Sequence, residues 1–159
     1  MSLNPTPRFE RAPAMLVAGI RQTHLHAQLA EKIPLQWQKF REQCAGIPNS
    51  RGVTYGVVCG NGPEGLEYLC GLEVESFDVI PAGLGRMRVP AQTYAVFTHD
   101  GPAALLGESW TTILHVLMPQ LQLEDAHTPT FERYDERYNV EIAGGVCEIW
   151  IPVLETSIK

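Results

Sequence analysis

The spacing of apolar and polar residues sorts this chain into two runs of the same elements. Residues 13–22 are almost continuously apolar and predict a first strand. From residue 27 to about 44 the period changes. Leu29, Ile33, Trp37, Phe40 and Cys44 recur every three to four positions while Glu31, Lys39 and Arg41 take other faces, which predicts an amphipathic helix. Pro34 falls inside it, so either the regular part starts near Ile33 with the proline in its first turn or the helix bends there. Residues 46–52 read as a loop, 53–59 as a strand, 60–65 as a loop of about six residues and 66–75 as the returning strand of a hairpin. Residues 76–90, with two prolines and two glycines, read as a crossing connection.

The same order then repeats. Residues 91–99 predict a strand, and Asp100, Gly101 and Pro102 suit a helix start in which Asp100 caps and Pro102 occupies the first turn. Leu106, Trp110, Ile113, Leu114 and Leu117 mark one helix face, which Pro119 ends or nearly ends. Residues 120–129 connect to a short strand at 130–136 and a closing strand at 146–153. Residues 1–12, with three charges and two prolines, read as a ragged start. The expected fold is therefore α+β: two strand–helix–strand–strand modules, about 13–75 and 91–153, related by pseudo-twofold symmetry, with an antiparallel sheet and two main helices in a single domain over 1–159. A module of this kind cannot cover both faces of its own small sheet, so two copies should associate and leave a concavity along their seam, where ligands commonly bind.

One carboxylate stands out in the closing strand. Alternation puts Glu148 on a face with Val146 and Trp150, and Cys147, Ile149 and Ile151 on the other. Either that first face is wet, or a charge lies in an apolar setting. Trp110, Tyr134, Trp150, Tyr55, Tyr94 and Phe97 are the aromatic candidates for walls around it, although Phe97 points away from the face of Tyr94. Each also has an ordinary packing role open to it.

Composition narrows the classes. At 159 residues, 45% apolar and 19% charged, the chain has the make-up of one soluble globular domain. No apolar run is long enough to span a bilayer and the N-terminus lacks the regions of a signal peptide, so a cytoplasmic location is expected. Twelve basic and 18 acidic residues give a net charge of −6 without a basic cluster, so direct nucleic-acid binding is not expected. Cys44, Cys59, Cys70 and Cys147 form no Cys-x-x-Cys pair, which disfavours a zinc or disulfide framework, and no cofactor is implied. His24 and His26 make a weak metal pair if they share a strand; His99, His115 and His127 form no ligand spacing.

The run from Ala91 through Gln92, Tyr94, Phe97, Gly101 and Pro102, followed by Trp110 in a helix, Phe131-Glu-Arg-Tyr134 and Glu148-Ile-Trp-Ile-Pro152-Val, resembles the C-terminal signature of GyrI-like small-molecule-binding domains. These also serve as effector-binding parts of some AraC-type and MerR-type transcription regulators. The resemblance implies two modules side by side, a pocket for amphipathic, often cationic or aromatic compounds, and a place in that pocket for the glutamate of the last strand, Glu148. Those regulators carry a DNA-binding domain ahead of the ligand domain; with its first strand expected near residue 13, this chain is expected to be a free-standing version. Three functions are then open: binding or sensing of amphipathic cations through Glu148 with Trp150, Tyr134, Trp110, Tyr55 and Tyr94; hydrolysis of strained electrophiles with Glu148 as general base and Tyr134 as proton donor; or modulation of a protein partner such as gyrase.

Overall fold

The computed structural model, which describes residues 2–48 and 52–159, contains three strands that the apolar pattern does not predict, at 8–12, 85–89 and 138–139. In chain order the strands are β1 (Arg8–Ala12), β2 (Met15–His24), β3 (Thr54–Gly62), β4 (Gly65–Val74), β5 (Gly85–Val89), β6 (Gln92–Pro102), β7 (Thr130–Tyr134), β8 (Tyr138–Asn139) and β9 (Gly144–Pro152). The helices are α1 (Leu29–Gln43), α2 (Leu106–Thr112) and α3 (Met118–Leu121), with one π-helical turn at Ile113–Leu117 joining the last two. Two compact units result: Ala14–Pro90, and Ala91–Lys159 together with the chain up to Pro13. Each is an antiparallel sheet packed on helix, so the architecture is α+β.

In the Ala14–Pro90 unit the sheet order is β3-β4-β2-β5. The expected six-residue hairpin loop is shorter, because Gly62 pairs with Gly65 and leaves two residues, Pro63 and Glu64, as the turn. Gly65 sits at φ +141°, where a Cβ would strike the His24 carbonyl, so only glycine closes the hairpin against β2. The crossing connection contains β5, an edge strand paired with the first half of β2. The middle of the expected 46–52 loop, residues 49–51, lies outside the described residues.

The α1 stripe packs as its spacing predicts. Ile33, Trp37, Phe40 and Cys44 meet Ile20, Tyr68, Cys70 and Leu72, which face the helix by alternation along β2 and β4. The helix starts at Leu29, which places Pro34 in its second turn rather than its first. At the centre of this apolar contact lies Gln36, only 1% exposed. Its Nε2 donates to the carbonyls of Ile20 and Tyr68, both at 2.8 Å, and its Oε1 lies 2.7 Å from His24 Nε2. A buried amide is tolerable only with such partners, and here it pins the helix to two strands.

The second unit has strand order β1-β6-β9-β7, with β8 on β9. Ala95, Phe97, Ile149 and Ile151, the alternate residues of β6 and β9, pack with Ile113, Leu117 and Met118 beneath the helical stretch. The N-terminal residues are not ragged. Residues 8–12 pair with 92–96, Leu3 bridges His99, and Asp100 N–H donates to the Ser2 carbonyl at 2.7 Å. Those bonds hold Asp100 inside β6, which runs on to Pro102, so Asp100 does not cap the helix. A 3₁₀ turn, Ala103–Leu105, leads into α2 instead. Pro119 lies within α3, and the helix stops at Gln122 in the left-handed region, φ 55°.

Candidate functional site

Strands β7 and β9 carry two buried carboxylates, and the register sends them to opposite faces. Arg133 stands opposite Glu148 and Glu132 opposite Ile149. Glu132 therefore looks toward the helical side, where Ile149 packs, and Glu148 looks away from it.

Glu148 is 3% exposed, in keeping with a charge in an apolar setting rather than a wet face. It is not, however, unpaired. Its Oε2 lies 2.9 Å from Arg8 Nη1 and 3.2 Å from Arg137 Nη2; its Oε1 accepts from Trp150 Nε1 at 3.1 Å and lies 3.6 Å from Arg133. Asp135 takes the other sides of two of these arginines, with Arg137 Nε at 2.9 Å and Arg133 Nη1 at 3.0 Å. The expectation of a lone acid awaiting a cation is corrected on this point. The compensating charges come from two stretches, the N-terminal strand and residues 133–137, that apolar periodicity does not register.

Local chemistry explains how they arrive. Gly145, at φ +118°, lets the 137–138 segment approach closely, and the Arg137 carbonyl accepts from Val146 N–H at 3.1 Å. Arg8 stands opposite Val96, which stands opposite Trp150, so the three form one row across β1, β6 and β9. The Arg8 guanidinium lies over the Trp150 ring, 5.7 Å from its centroid. Trp150 stacks on Phe131 at 5.3 Å, and Tyr94 meets both edge-on at 5.2 Å. Burial pushes the Glu148 carboxyl up, but the bonds from Arg8 and Trp150, the Arg8 charge and the Arg137 bond outweigh it and hold the group below the ordinary carboxylate value. The Arg137 bonds hold Asp135 down to about 2.

Glu132, 7% exposed, has another kind of surroundings. Its Oε2 accepts from Trp110 Nε1 and its Oε1 from the Tyr134 hydroxyl, each at 2.7 Å. Both donors are half-buried, and the Tyr134 ring meets that of Tyr138 edge-on at 4.8 Å. The neighbouring Cys147 thiol is pushed well above its usual range by burial and by the charges of Glu132 and Glu148, which leaves it unreactive.

The six anticipated site residues thus separate into groups. Glu148, Trp150 and Tyr94 lie on one face; Trp110 and Tyr134 lie on the other, around Glu132. Tyr55 is in β3, buried at 7% exposure in the Ala14–Pro90 unit. A hydrolytic pairing of Glu148 with Tyr134 is not formed, because the hydroxyl serves Glu132 across the sheet. Glu132 was legible as a partner of Tyr134, since residues two apart on a strand share a face. Arg8 carried no such signal. His24 bonds Gln36 and His26 the Gly62 carbonyl, so the two do not form a metal pair, and all four cysteines are free thiols. Among the described residues no helix is long and apolar enough to cross a membrane.

Comparison with known proteins agrees with this architecture. The transcriptional regulator BrlR of Pseudomonas aeruginosa is 32% identical over 154 residues, covering 94% of this chain and 56% of the regulator, so the chain spans about half the length of that relative. Two solved structures share the fold. SAV2435, determined bound to tetraphenylphosphonium, has a TM-score of 0.73 at 19% identity over 94% of each chain. The integron cassette protein VCH_CASS2 of Vibrio cholerae has a TM-score of 0.72 at 16% identity over 94% of this chain and 96% of its own. The Cass2 family signature matches residues 8–153, from the first strand to the end of the last, and this chain therefore belongs to the integron-associated effector binding proteins, a GyrI-like effector-binding family.

Proposed function

We propose that the chain binds lipophilic, amphipathic cations, with Glu132 as their counter-ion and Trp110 and Tyr134 as aromatic walls. One observation carries this reading: a buried carboxylate whose oxygens are both oriented by half-buried aromatic side chains. The indole and phenol donors orient the carboxylate, and their rings shield it from water. A quaternary cation donates no hydrogen bonds, so it requires field and ring faces rather than free lone pairs. At about 5 Å and an effective dielectric of about 20 the attraction is roughly 3 kcal/mol, with about 0.5 to 2 kcal/mol more per well-placed ring. The same features select for charge and flatness, which suits broad specificity. The fold shared with SAV2435, described as bound to tetraphenylphosphonium, supports that ligand class. Glu148 is less suited to a bulky guest, because three guanidinium groups already compensate it and its aromatic neighbours are closely packed.

The test is a tryptophan-fluorescence titration with tetraphenylphosphonium. Glu132→Gln is expected to weaken binding at least tenfold and Glu148→Gln less than about threefold. Undiminished affinity in Glu132→Gln overturns the assignment; a loss confined to Glu148→Gln moves the counter-ion to the other face.

A further inference from the structure

Strand β1 lies at the end of its sheet, with β6 on one side and no strand on the other. Along β6 the backbone groups alternate between the two neighbouring strands. Asp100 N–H donates to the Ser2 carbonyl and Asn4 N–H to the Thr98 carbonyl, whereas the Thr93 carbonyl accepts from Val153 N–H, so the even-numbered residues of β6 serve the N-terminal segment. Arg8 stands opposite Val96 and Glu10 opposite Tyr94. Those two therefore spend their backbone groups on β6, and Phe9 and Arg11 point theirs to the free edge. Pro7, two residues before Phe9, offers a carbonyl there and has no N–H to leave unpaired. The Phe9 ring is 41% exposed, an apolar group on an edge of the kind that proteins usually guard with charge alone.

We propose that this edge pairs with the same edge of a second copy of the chain, in an antiparallel, twofold-symmetric strand pair centred on Phe9. In that register Phe9 exchanges both backbone bonds with its counterpart, and each Arg11 N–H meets the Pro7 carbonyl of the other copy. Arg8 of each copy stands opposite Glu10 of the other. These are non-hydrogen-bonded positions, where side chains approach most closely, and opposite charges there attract. The two Phe9 rings shelter one another on the other face. Centring the pair on Arg8 or on Glu10 instead sets like charges together, so the charge pattern fixes the register. Strand β5, at the edge of the Ala14–Pro90 unit, lacks this complementarity: self-pairing centred on Met87 sets Arg86 against Arg88. Two five-residue edges bury less than the roughly 1,200 Å² of a stable interface, so the dimer is weak, with a Kd on the order of 100 μM.

Sedimentation velocity of the full chain, from about 5 μM to about 1 mM, tests the pairing, and the wild type is expected to pass from monomer to dimer across that range. Phe9→Pro removes an N–H that the monomer does not use, and Glu10→Arg sets an arginine against Arg8 of the other copy; each is expected to weaken association at least tenfold. Arg88→Glu, on β5, is expected to leave it unchanged. Hydrogen exchange of the wild type gives a readout that needs no variant: protection of the Phe9 and Arg11 amides should rise with concentration, while that of Arg8 and Glu10, already bonded to β6, stays level. A monomer at the highest concentration, a dimer that survives either β1 substitution, or dimerisation without protection at Phe9 and Arg11 overturns the proposal. So do larger species that Arg88→Glu abolishes, because those join β1 to β5.

Discussion

Two tryptophans lie at matching places in the two units, one on each main helix, and their rings meet different neighbours. Trp37 packs edge-on against Phe40 at 5.6 Å and Tyr68 at 6.4 Å, inside an apolar contact between helix and sheet. Trp110 turns its indole N–H onto the Glu132 carboxylate at 2.7 Å. The scaffolding beside them is alike. A strand histidine reaches a polar helix residue in both, His24 to Gln36 and His99 to Ser109, each at 2.7 Å. A repeated order of elements can thus conserve the fastening of helix to sheet while, among the described residues, the buried carboxylates Glu132 and Glu148 both lie in the second unit.

The comparison can be broken at the fastening first, where the expected effect is largest. Gln36→Leu deletes the bonds from the amide to the Ile20 and Tyr68 carbonyls and to His24 and should cost about 3 kcal/mol of stability, measured by denaturant melts, with less loss from Ser109→Ala, which removes one bond.

Acid tests the charged unit next. The carboxyl of Asp135 is held down to about 2 from an ordinary value of 3.8, so its contribution is complete above about pH 4 and is lost as pH falls through about 2. The contribution is on the order of 2 kcal/mol. Asp135→Asn should remove it and flatten the stability profile across that window. Glu148 has the same sign, being held below its ordinary value when folded, and Glu148→Gln should flatten the acid limb further.

Trp110→Phe keeps the ring and deletes the N–H. It should weaken tetraphenylphosphonium binding about three- to tenfold, whereas Trp37→Phe should leave it within about twofold, and a fluorescence titration compares the two. The smallest effect is expected at the Arg21–Glu67 bridge, at 2.9 Å with side chains about a third exposed. Arg21→Ala there should cost no more than about 1 kcal/mol in a thermal melt, because solvent screens the pair.

Local pattern carried most of the fold. The α1 stripe, the apolar runs of β2, β3, β4 and β6, and the alternation of β9 were all legible, because helix and strand periods are properties of neighbouring residues. β1 and β5 were not: Arg8-Phe9-Glu10-Arg11 and Gly85-Arg86-Met87-Arg88 are charged edge strands, whose apolar content is too low to show a period and whose order comes from backbone pairing. The two-residue hairpin turn was hidden by a glycine-rich run that reads equally well as loop.

The sequence alone determined on which side of its strand each candidate lies. Glu148 must share a face with Trp150, and Glu132 with Tyr134, because alternation is a property of the strand itself. Tertiary structure decided what each acid meets: Arg8 from the far end of the chain over Trp150, two arginines tethered by Asp135, and an indole from the helix on Glu132. Ion pairs depend on distance in space and on exclusion of water, and neither is written in the order of residues along one strand.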